Sequence, residues 1–185
     1  TGEMGVGNTT TSAAVLSVLT GQSVESVTGR GSGVKDDTLK RKMQVIKKAI
    51  EVNSPNQDDV IDVLAKVGGF DIAGLCGVFL GAAKNKKAVV IDGFISAVAA
   101  LCAYKIQPRS ALYMFPSHLS KEAGMSKAME ALGMEPYFYT GMRLGEGTGC
   151  TLTFGLMDMA LYTLSTMGTF EDAKVDKSNY IGLWK

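Results

Sequence analysis

The fold of this chain is indicated most clearly by one stretch, Lys87-Ala88-Val89-Val90-Ile91-Asp92-Gly93. Its continuous apolar run is typical of a strand in a parallel sheet that is covered on both faces. The pattern from Ile95 to Tyr104 predicts a helix directly after this strand. In open parallel sheets ligands bind beyond the carboxyl ends of the strands, so Asp92 and Gly93 are candidate site residues. Asp92 has a second interpretation, because an aspartate before a helix can also be its N-cap.

Further strands and helices alternate on both sides of this stretch. Short apolar runs predict strands at 111–115 and 136–139. Helical spacing predicts helices at 38–52, 58–67, 70–83 and 121–132. Two further helices are predicted from capping signals: one has its N-cap at Asn8 or Thr9 and contains the apolar run 13–19, and the other is capped by Thr148 and contains the run 150–167. An alternation of this kind predicts an α/β fold with a mostly parallel sheet flanked by helices. We expect residues 1–168 to form this domain, which begins partway through a motif and lacks an upstream part, and residues 169–185 to form a tail.

Composition excludes several functional classes. The 185 residues are 46% hydrophobic and carry a net charge of only +1, so a nucleic-acid partner is not expected, because no basic excess exists to neutralise phosphates. No apolar run reaches the length of a membrane span, and we expect no membrane partner. The three cysteines are widely spaced, which favours neither a disulfide framework nor a metal site and fits a cytoplasmic location. The single histidine, His118, excludes a site built from several histidines and is expected to be a surface or polar-contact residue.

Glycine-rich loops carry most of the charged candidates. Glu146 lies in Gly145-Glu146-Gly147-Thr148-Gly149, just before a predicted helix, where free backbone N–H groups can bind an anion or a polar ligand atom. Glu3 lies in a similar loop, and Arg30 lies in the loop 27–33. The simpler interpretation of Glu146 is a solvated glutamate in a turn. Lys42 has two interpretations as well: its stem packs while its ammonium reaches water, or it reaches a phosphate held by the loop 29–33.

Taken in order, these motifs resemble those of the nicotinate-nucleotide:dimethylbenzimidazole phosphoribosyltransferase family. The resemblance extends from Thr1 to about Met167 and is carried by Gly2-Glu3-Met4-Gly5-Val6-Gly7-Asn8-Thr9-Thr10, Thr28-Gly29-Arg30-Gly31, Gly68-Gly69-Phe70-Asp71-Ile72-Ala73-Gly74, Asp92-Gly93-Phe94-Ile95-Ser96 and Arg143-Leu144-Gly145-Glu146-Gly147-Thr148-Gly149. It implies a Rossmann-like sheet, helices of a small helical domain and a homodimer. The implied reaction moves phosphoribose from nicotinate mononucleotide to dimethylbenzimidazole, which gives nicotinate and α-ribazole phosphate for the lower ligand of cobalamin.

The resemblance also implies roles for individual residues. Glu146 would be the general base, a carboxylate in a dry glycine loop that accepts the azole proton. Glu3 would line the azole end of the site. The resemblance places the phosphate on Gly29, Arg30, Gly31 and Lys42 and the remaining substrate contacts on Gly93 and Leu144, and we add their loop neighbours Gly5, Asp92 and Gly145 as candidate contacts. No cofactor and no metal are expected.

Two other functions compete with this interpretation. The first is a non-catalytic nucleotide-binding module that retains the phosphate loops. The second is a different phosphoribosyl enzyme on the same scaffold, which the absence of an acidic ribose-phosphate loop disfavours. Members of the family are about twice as long as this chain, so we expect the natural protein to include an upstream half.

Overall fold

The computed structural model describes residues 1–176 and 178 of the chain. Within them, eight α-helices, one 3₁₀ helix and two short strands follow one another. Their bounds are α1 Asn8–Thr20, α2 Val24–Val27, α3 Asp36–Asn53, α4 Val60–Val67, α5 Phe70–Lys84, β1 Val89–Ile91, α6 Phe94–Ile106, the 3₁₀ helix Pro108–Tyr113, β2 Met114–Pro116, α7 Met125–Leu132 and α8 Thr148–Thr166. The α/β fold expected from the sequence is therefore present.

The sheet is parallel and small in the described part of the chain. β1 pairs with β2 in the register Val89↔Met114, Val90↔Phe115 and Ile91↔Pro116, and α6 connects the two strands. All three residues of β1 are buried, as its continuous apolar run predicts. Beyond β2 the pairing continues as one parallel bridge between His118 and Phe138. The carboxyl ends of β1 and β2 consequently meet at one edge, and their polar residues follow there.

The core is built around two helices that are buried on almost every side. Residues 97–103 of α6 are fully buried, and α6 packs against α1, α5 and α7. Small side chains on α6 allow this close approach on all faces. Residues 12–19 of α1 are buried as well. Each enclosed helix begins directly after a glycine, Gly7 or Gly93, so the core sets where the two preceding loops end.

Three predicted elements differ from the observed ones. The strand predicted at 111–115 begins only at Met114, because a 3₁₀ helix occupies the preceding residues. Pro108 favours a helical start, and the Gln107 side chain accepts a hydrogen bond from Arg109 N at 3.4 Å. The strand predicted at 136–139 is reduced to the single bridge at Phe138. The helix predicted from residue 121 begins at Met125, since a turn precedes it, and α2 was not predicted.

The described chain divides into two compact units, Thr1–Thr153 and the residues from Phe154 onward. The first contains both strands, the core and every candidate site residue. The second contains the rest of α8 and a turn in which Asp172 accepts hydrogen bonds from the Thr169 amide and hydroxyl at 2.8 and 2.7 Å. Of the predicted tail, residues 177 and 179–185 lie outside the described residues. Across residues 1–176 and 178, no helix combines the length and apolar content that crossing a membrane requires.

Candidate functional site

One cavity of about 740 Å³ lies beyond the carboxyl end of β1, a volume within the range of small-molecule sites. The glycine loops and the first turns of α1 and α3 surround it. The predicted residues that line it are Glu3, Gly5, Arg30, Gly31, Lys42, Asp92, Gly93, Leu144, Gly145 and Glu146. Gly29 does not line the cavity, but its carbonyl accepts a hydrogen bond from Lys42. The structure thus brings together residues that are separated by more than a hundred positions in the chain.

Glu146 occupies an unusual backbone conformation. Its φ is 57°, and its neighbours Gly145 and Gly147 have φ values of 76° and 79°, so three successive residues are left-handed. Glycine adopts this region without penalty, whereas a residue with a Cβ does so at a cost of about 1–2 kcal/mol. Strain of this kind persists only where the surroundings hold the loop. The side chain of Glu146 is exposed, so the dry environment expected from the sequence is absent from the described part of the chain.

The Asp92 carboxylate binds the backbone of the Glu146 loop. This carboxylate is 2% exposed and accepts hydrogen bonds from Gly147 N and Gly149 N, each at 2.9 Å. It therefore caps the start of α8, where the amide groups and the helix dipole favour a negative charge. The N-cap of α6 is Gly93, so the interpretation of Asp92 as the cap of its own following helix is wrong.

A second polar layer from the end of β2 supports Asp92. Ser117 Oγ donates to the Asp92 carbonyl at 3.0 Å and lies 3.0 Å from His118 Nδ1. His118 is fully buried; burial lowers its pKa, and the nearby charge of Asp92 opposes that effect. A side chain at Gly149 has no room, because a Cβ there would lie 2.5 Å from Ser117 Oγ and 2.8 Å from Asp92 Oδ1. His118 is thus a buried polar-contact residue.

The carboxylates of Glu3 and Glu146 lie on loops that touch. A Cβ added at Gly2 would be 2.5 Å from Gly147 N, so the backbones of the two loops are in direct contact. Glu3 is half-buried, and its Oε2 accepts a hydrogen bond from Gly5 N at 2.6 Å and another from Asn8. One end of the cavity therefore carries two carboxylates on adjoining glycine loops.

Lys42 marks a different part of the same cavity. Its ammonium donates to Thr9 Oγ1 at 2.7 Å and to Gly29 O at 3.0 Å, so among the described residues one of its three N–H groups remains for a ligand. Burial lowers the pKa of Lys42, and the charge of Glu122 partly opposes this. A Cβ at Gly31 would lie 3.0 Å from Thr9 Oγ1 and 3.8 Å from the ammonium. The glycine loop, α1 and Lys42 consequently form one cradle.

The start of α1 adds backbone donors to this cradle. Its N-cap is Gly7 in the left-handed region, no side chain caps it, and its first turn contains no acidic residue. The first N–H groups of a helix have no partners within the helix and favour anions. Because Thr9 and Thr10 line the cavity, this helix end faces it.

Arg30 also lines the cavity, but its guanidinium is bound by other groups of the protein. It lies 2.5 Å from the Asp36 carboxylate and donates to Val34 O at 2.9 Å.

Several lining residues were not predicted from the sequence. Arg41 lines the cavity and was not among the predicted site residues, although its position beside Lys42 is a usable signal. Glu122 follows Ser120 in a turn that was predicted to be helical, and one of its carboxylate oxygens is buried without a partner in the described structure. Arg143 belongs to a motif that was identified, but it had been given no role.

Within the described part of the chain, no group of three or more His, Cys, Asp or Glu side chains is placed to hold a metal ion.

Comparisons with known proteins place the chain among its relatives. Residues 1–175 match a family model described as Phosphoribosyltransferase. The chain is 54% identical over 177 residues to the nicotinate-nucleotide–dimethylbenzimidazole phosphoribosyltransferase of Acetivibrio thermocellus, covering 96% of this chain and 50% of the relative. It is 55% identical over 176 residues to the enzyme of that name from Clostridium acetobutylicum, covering 95% and 50%.

A solved structure shares the fold. The crystal structure of CobT from Thermus thermophilus matches with a TM-score of 0.88 and 38% identity, covering 95% of this chain and 52% of that one. The chain spans about half the length of the curated relatives it matches. The family model, the identities and the shared fold agree with the motif series quoted above. The chain therefore belongs to the nicotinate-nucleotide–dimethylbenzimidazole phosphoribosyltransferase family.

Proposed function

We propose that this chain provides the phosphate cradle and the general base of an enzyme that transfers phosphoribose from nicotinate mononucleotide to dimethylbenzimidazole. The products would be nicotinate and α-ribazole phosphate, used for the lower ligand of cobalamin. One observation carries the proposal. A single cavity contains the left-handed Glu146 loop and the cradle of Lys42, Gly31 and Thr9. A substrate with a phosphate at one end and a reacting ring at the other fits that combination.

The proposed reaction is a single displacement at the anomeric carbon of the ribose. One azole nitrogen attacks this carbon while Glu146 accepts the proton of the other nitrogen. The bond from carbon to the pyridinium nitrogen breaks, and nicotinate leaves with the electron pair. Because the leaving ring is already positively charged, no strong acid is required. Attack from the face opposite the leaving group converts the β-nucleotide into the α-product.

The surrounding groups would hold the two substrates in line for this step. The third N–H of Lys42 and the uncapped start of α1 are suited to the phosphate. Glu3 lies on a loop in contact with that of Glu146, which suits it to the acceptor ring. Apolar side chains of Met4 and Leu144, which also line the cavity, offer surface for an aromatic ring.

The direct test is turnover. The chain would be incubated with nicotinate mononucleotide and dimethylbenzimidazole, alone and together with the half of the Acetivibrio thermocellus relative that it does not match. We expect nicotinate and α-ribazole phosphate to form in equal amounts in the complemented sample. Nucleotide binding without any product, in either sample, would contradict the proposal and favour the non-catalytic module instead.

Lys42 provides a prediction about the donor phosphate. Lys42→Met keeps most of the stem but removes one charge-assisted contact worth about 1.5–3 kcal/mol, so the Kd for nicotinate mononucleotide should rise by about 10–150-fold. Since burial lowers the pKa of Lys42, wild-type affinity should also weaken at alkaline pH earlier than an exposed lysine would cause. Calorimetric titration across pH measures both effects. Lys40→Met is the matched control, because Lys40 is exposed on the same helix and does not line the cavity. An unchanged Kd in Lys42→Met would remove Lys42 from the site.

We also propose that the protein acts as a homodimer. Large apolar side chains on the first unit support a partner surface: Phe70 is 100% exposed and Ile61 is 63% exposed in the described chain. Sedimentation equilibrium of the chain together with the added half of the relative should give twice the combined mass of those two polypeptides. A monomer at concentrations where turnover is complete would contradict this expectation.

The compartment that we propose is the cytoplasm. The three cysteines are unpaired and buried, which suits a reducing environment. Burial raises the pKa of Cys76 to about 11 and raises that of Cys102 further, so neither thiol is reactive at neutral pH. Cell fractionation with an antibody against the chain tests the location, and recovery outside the cytoplasmic fraction would overturn it.

A further inference from the structure

The side-chain amide of Asn8 connects two carboxylates that lie far apart in the sequence. It donates one hydrogen to Glu3 Oε2 and the other to Asp71 Oδ2, the latter at 2.8 Å. Only the nitrogen of a carboxamide can donate, so the two acceptors together fix which way the amide faces. If the amide were turned over, its oxygen would face two negatively charged groups.

The two carboxylates differ in their relation to the cavity. Glu3 and Asn8 line it, whereas Asp71 does not. Asp71 lies in the first turn of α5, and its carboxylate is folded back over Gly69: a Cβ there would be 2.5 Å from Asp71 Oδ1. Asp71 belongs to one of the motifs singled out in the sequence, and the proposed mechanism gives it no part.

We propose that Asp71 is a positioning residue that acts through Asn8 to hold the Glu3 carboxylate against the acceptor ring. This rests on the proposed function, because it assigns Glu3 to the acceptor. Without an acceptor at position 71, the second N–H of the Asn8 amide has no carboxylate partner, and the side chain is held by Glu3 alone. The Asn8 hydrogen bond to Glu3 is then less firmly oriented, and only the other donor to that carboxylate, Gly5 N at 2.6 Å, stays fixed. Affinity for the acceptor should fall, while the phosphate cradle at Lys42 should be unaffected.

Steady-state kinetics on the complemented enzyme separate this role from a structural one. Asp71→Leu should raise the KM for dimethylbenzimidazole by about tenfold, because a hydrogen bond to a charged group is lost. The KM for nicotinate mononucleotide and kcat should stay within about twofold. Asp71→Asn should restore most of the affinity, since its amide oxygen can still accept from Asn8. In a Glu3→Ala background, Asp71→Leu should have no further effect on the KM for the acceptor.

One control variant tests whether the effect is specific to Asp71. Asp37→Leu removes an acidic residue of the first turn of α3 that does not line the cavity, and it should leave the KM for the acceptor unchanged. If Asp71→Leu leaves that KM unchanged, or raises it equally in the Glu3→Ala background, the positioning role is wrong.

The link can also be observed without turnover, so its failure is distinguishable from failure of the proposed function. Asn8→Ala assigns the side-chain NH₂ signals of Asn8 in a ¹⁵N NMR spectrum. In the wild-type chain these two protons should exchange slowly with water, and in Asp71→Leu they should exchange faster. Fast exchange in the wild-type chain would overturn the link itself, whatever reaction the protein catalyses.

Discussion

Replacing Glu146 by Gln should lower kcat for phosphoribose transfer by about 10²–10⁴-fold, the usual range for loss of a general base. Gln keeps the shape and hydrogen-bonding capacity of the side chain but cannot take the azole proton. The left-handed backbone, with φ of 57°, strains Glu and Gln alike, so the fold should be unaffected. The affinity for nicotinate mononucleotide should change little, because its phosphate contacts lie on other loops.

The measurement is kcat against pH for the wild-type chain and Glu146→Gln, each together with the half of the Acetivibrio thermocellus relative that the chain does not match. Glu135→Gln is the matched control, since Glu135 is exposed and does not line the cavity. If Glu146→Gln stays within about threefold of wild type at every pH, Glu146 is not the base. Glu3, on the adjoining loop, would then be the next candidate.

The positions of the loops were predictable from the sequence because their signals are local. A continuous apolar run followed by Asp92 and Gly93 predicted both a buried strand and a candidate site at its carboxyl end, and β1 occupies that run. Glycines and hydroxyl residues before apolar runs marked the starts of α1 and α8. The loops that carry these signals surround one cavity.

The contacts that hold the loops were not predictable, because they join residues without any local pattern. Asp92 accepts from amides 55 and 57 positions away, and Asn8 donates to Asp71 across 63 positions. Strand propensity also gave a wrong prediction at one place, where a capping residue and a proline begin a helix instead. The run around Tyr113 has strand-like composition, but Pro108 and the Gln107 cap begin a 3₁₀ helix there. The exposure of Glu146 likewise depends on which segments cover it, a property that no short motif encodes.

Asp92→Ala should be the most destabilising of the substitutions considered, lowering the free energy of unfolding by about 3–6 kcal/mol. Two hydrogen bonds to a charged acceptor are lost, each worth about 1.5–3 kcal/mol. Gly149 N is buried and is left without an acceptor. The backbone contacts of Asp92 with Ser96 and Ser117 remain, so the effect isolates the carboxylate. The Glu146 loop should loosen as well, and kcat should fall with stability.

Asp59 is a matched control, because its carboxylate makes the same kind of N-cap contact at a solvent-exposed position. This N-cap carboxylate accepts from Ile61 N at 2.9 Å and Asp62 N at 3.2 Å at the start of α4, and the bonds are exposed. Asp59→Ala should cost about 1 kcal/mol, since water can replace the lost acceptor. Urea unfolding of both variants, with similar m-values, gives the comparison.

A third variant tests whether the charge or the second oxygen matters. Asp92→Asn keeps one acceptor oxygen but turns an NH₂ group toward either Gly147 N or Gly149 N, so two donors would face each other in a buried position. The loss of stability should therefore approach that of Asp92→Ala. If Asp92→Ala destabilises no more than Asp59→Ala, the two hydrogen bonds do not hold the start of α8. The left-handed Glu146 loop would then have to be held mainly by its contact with Gly2, and Gly2→Ala would become the variant expected to release it.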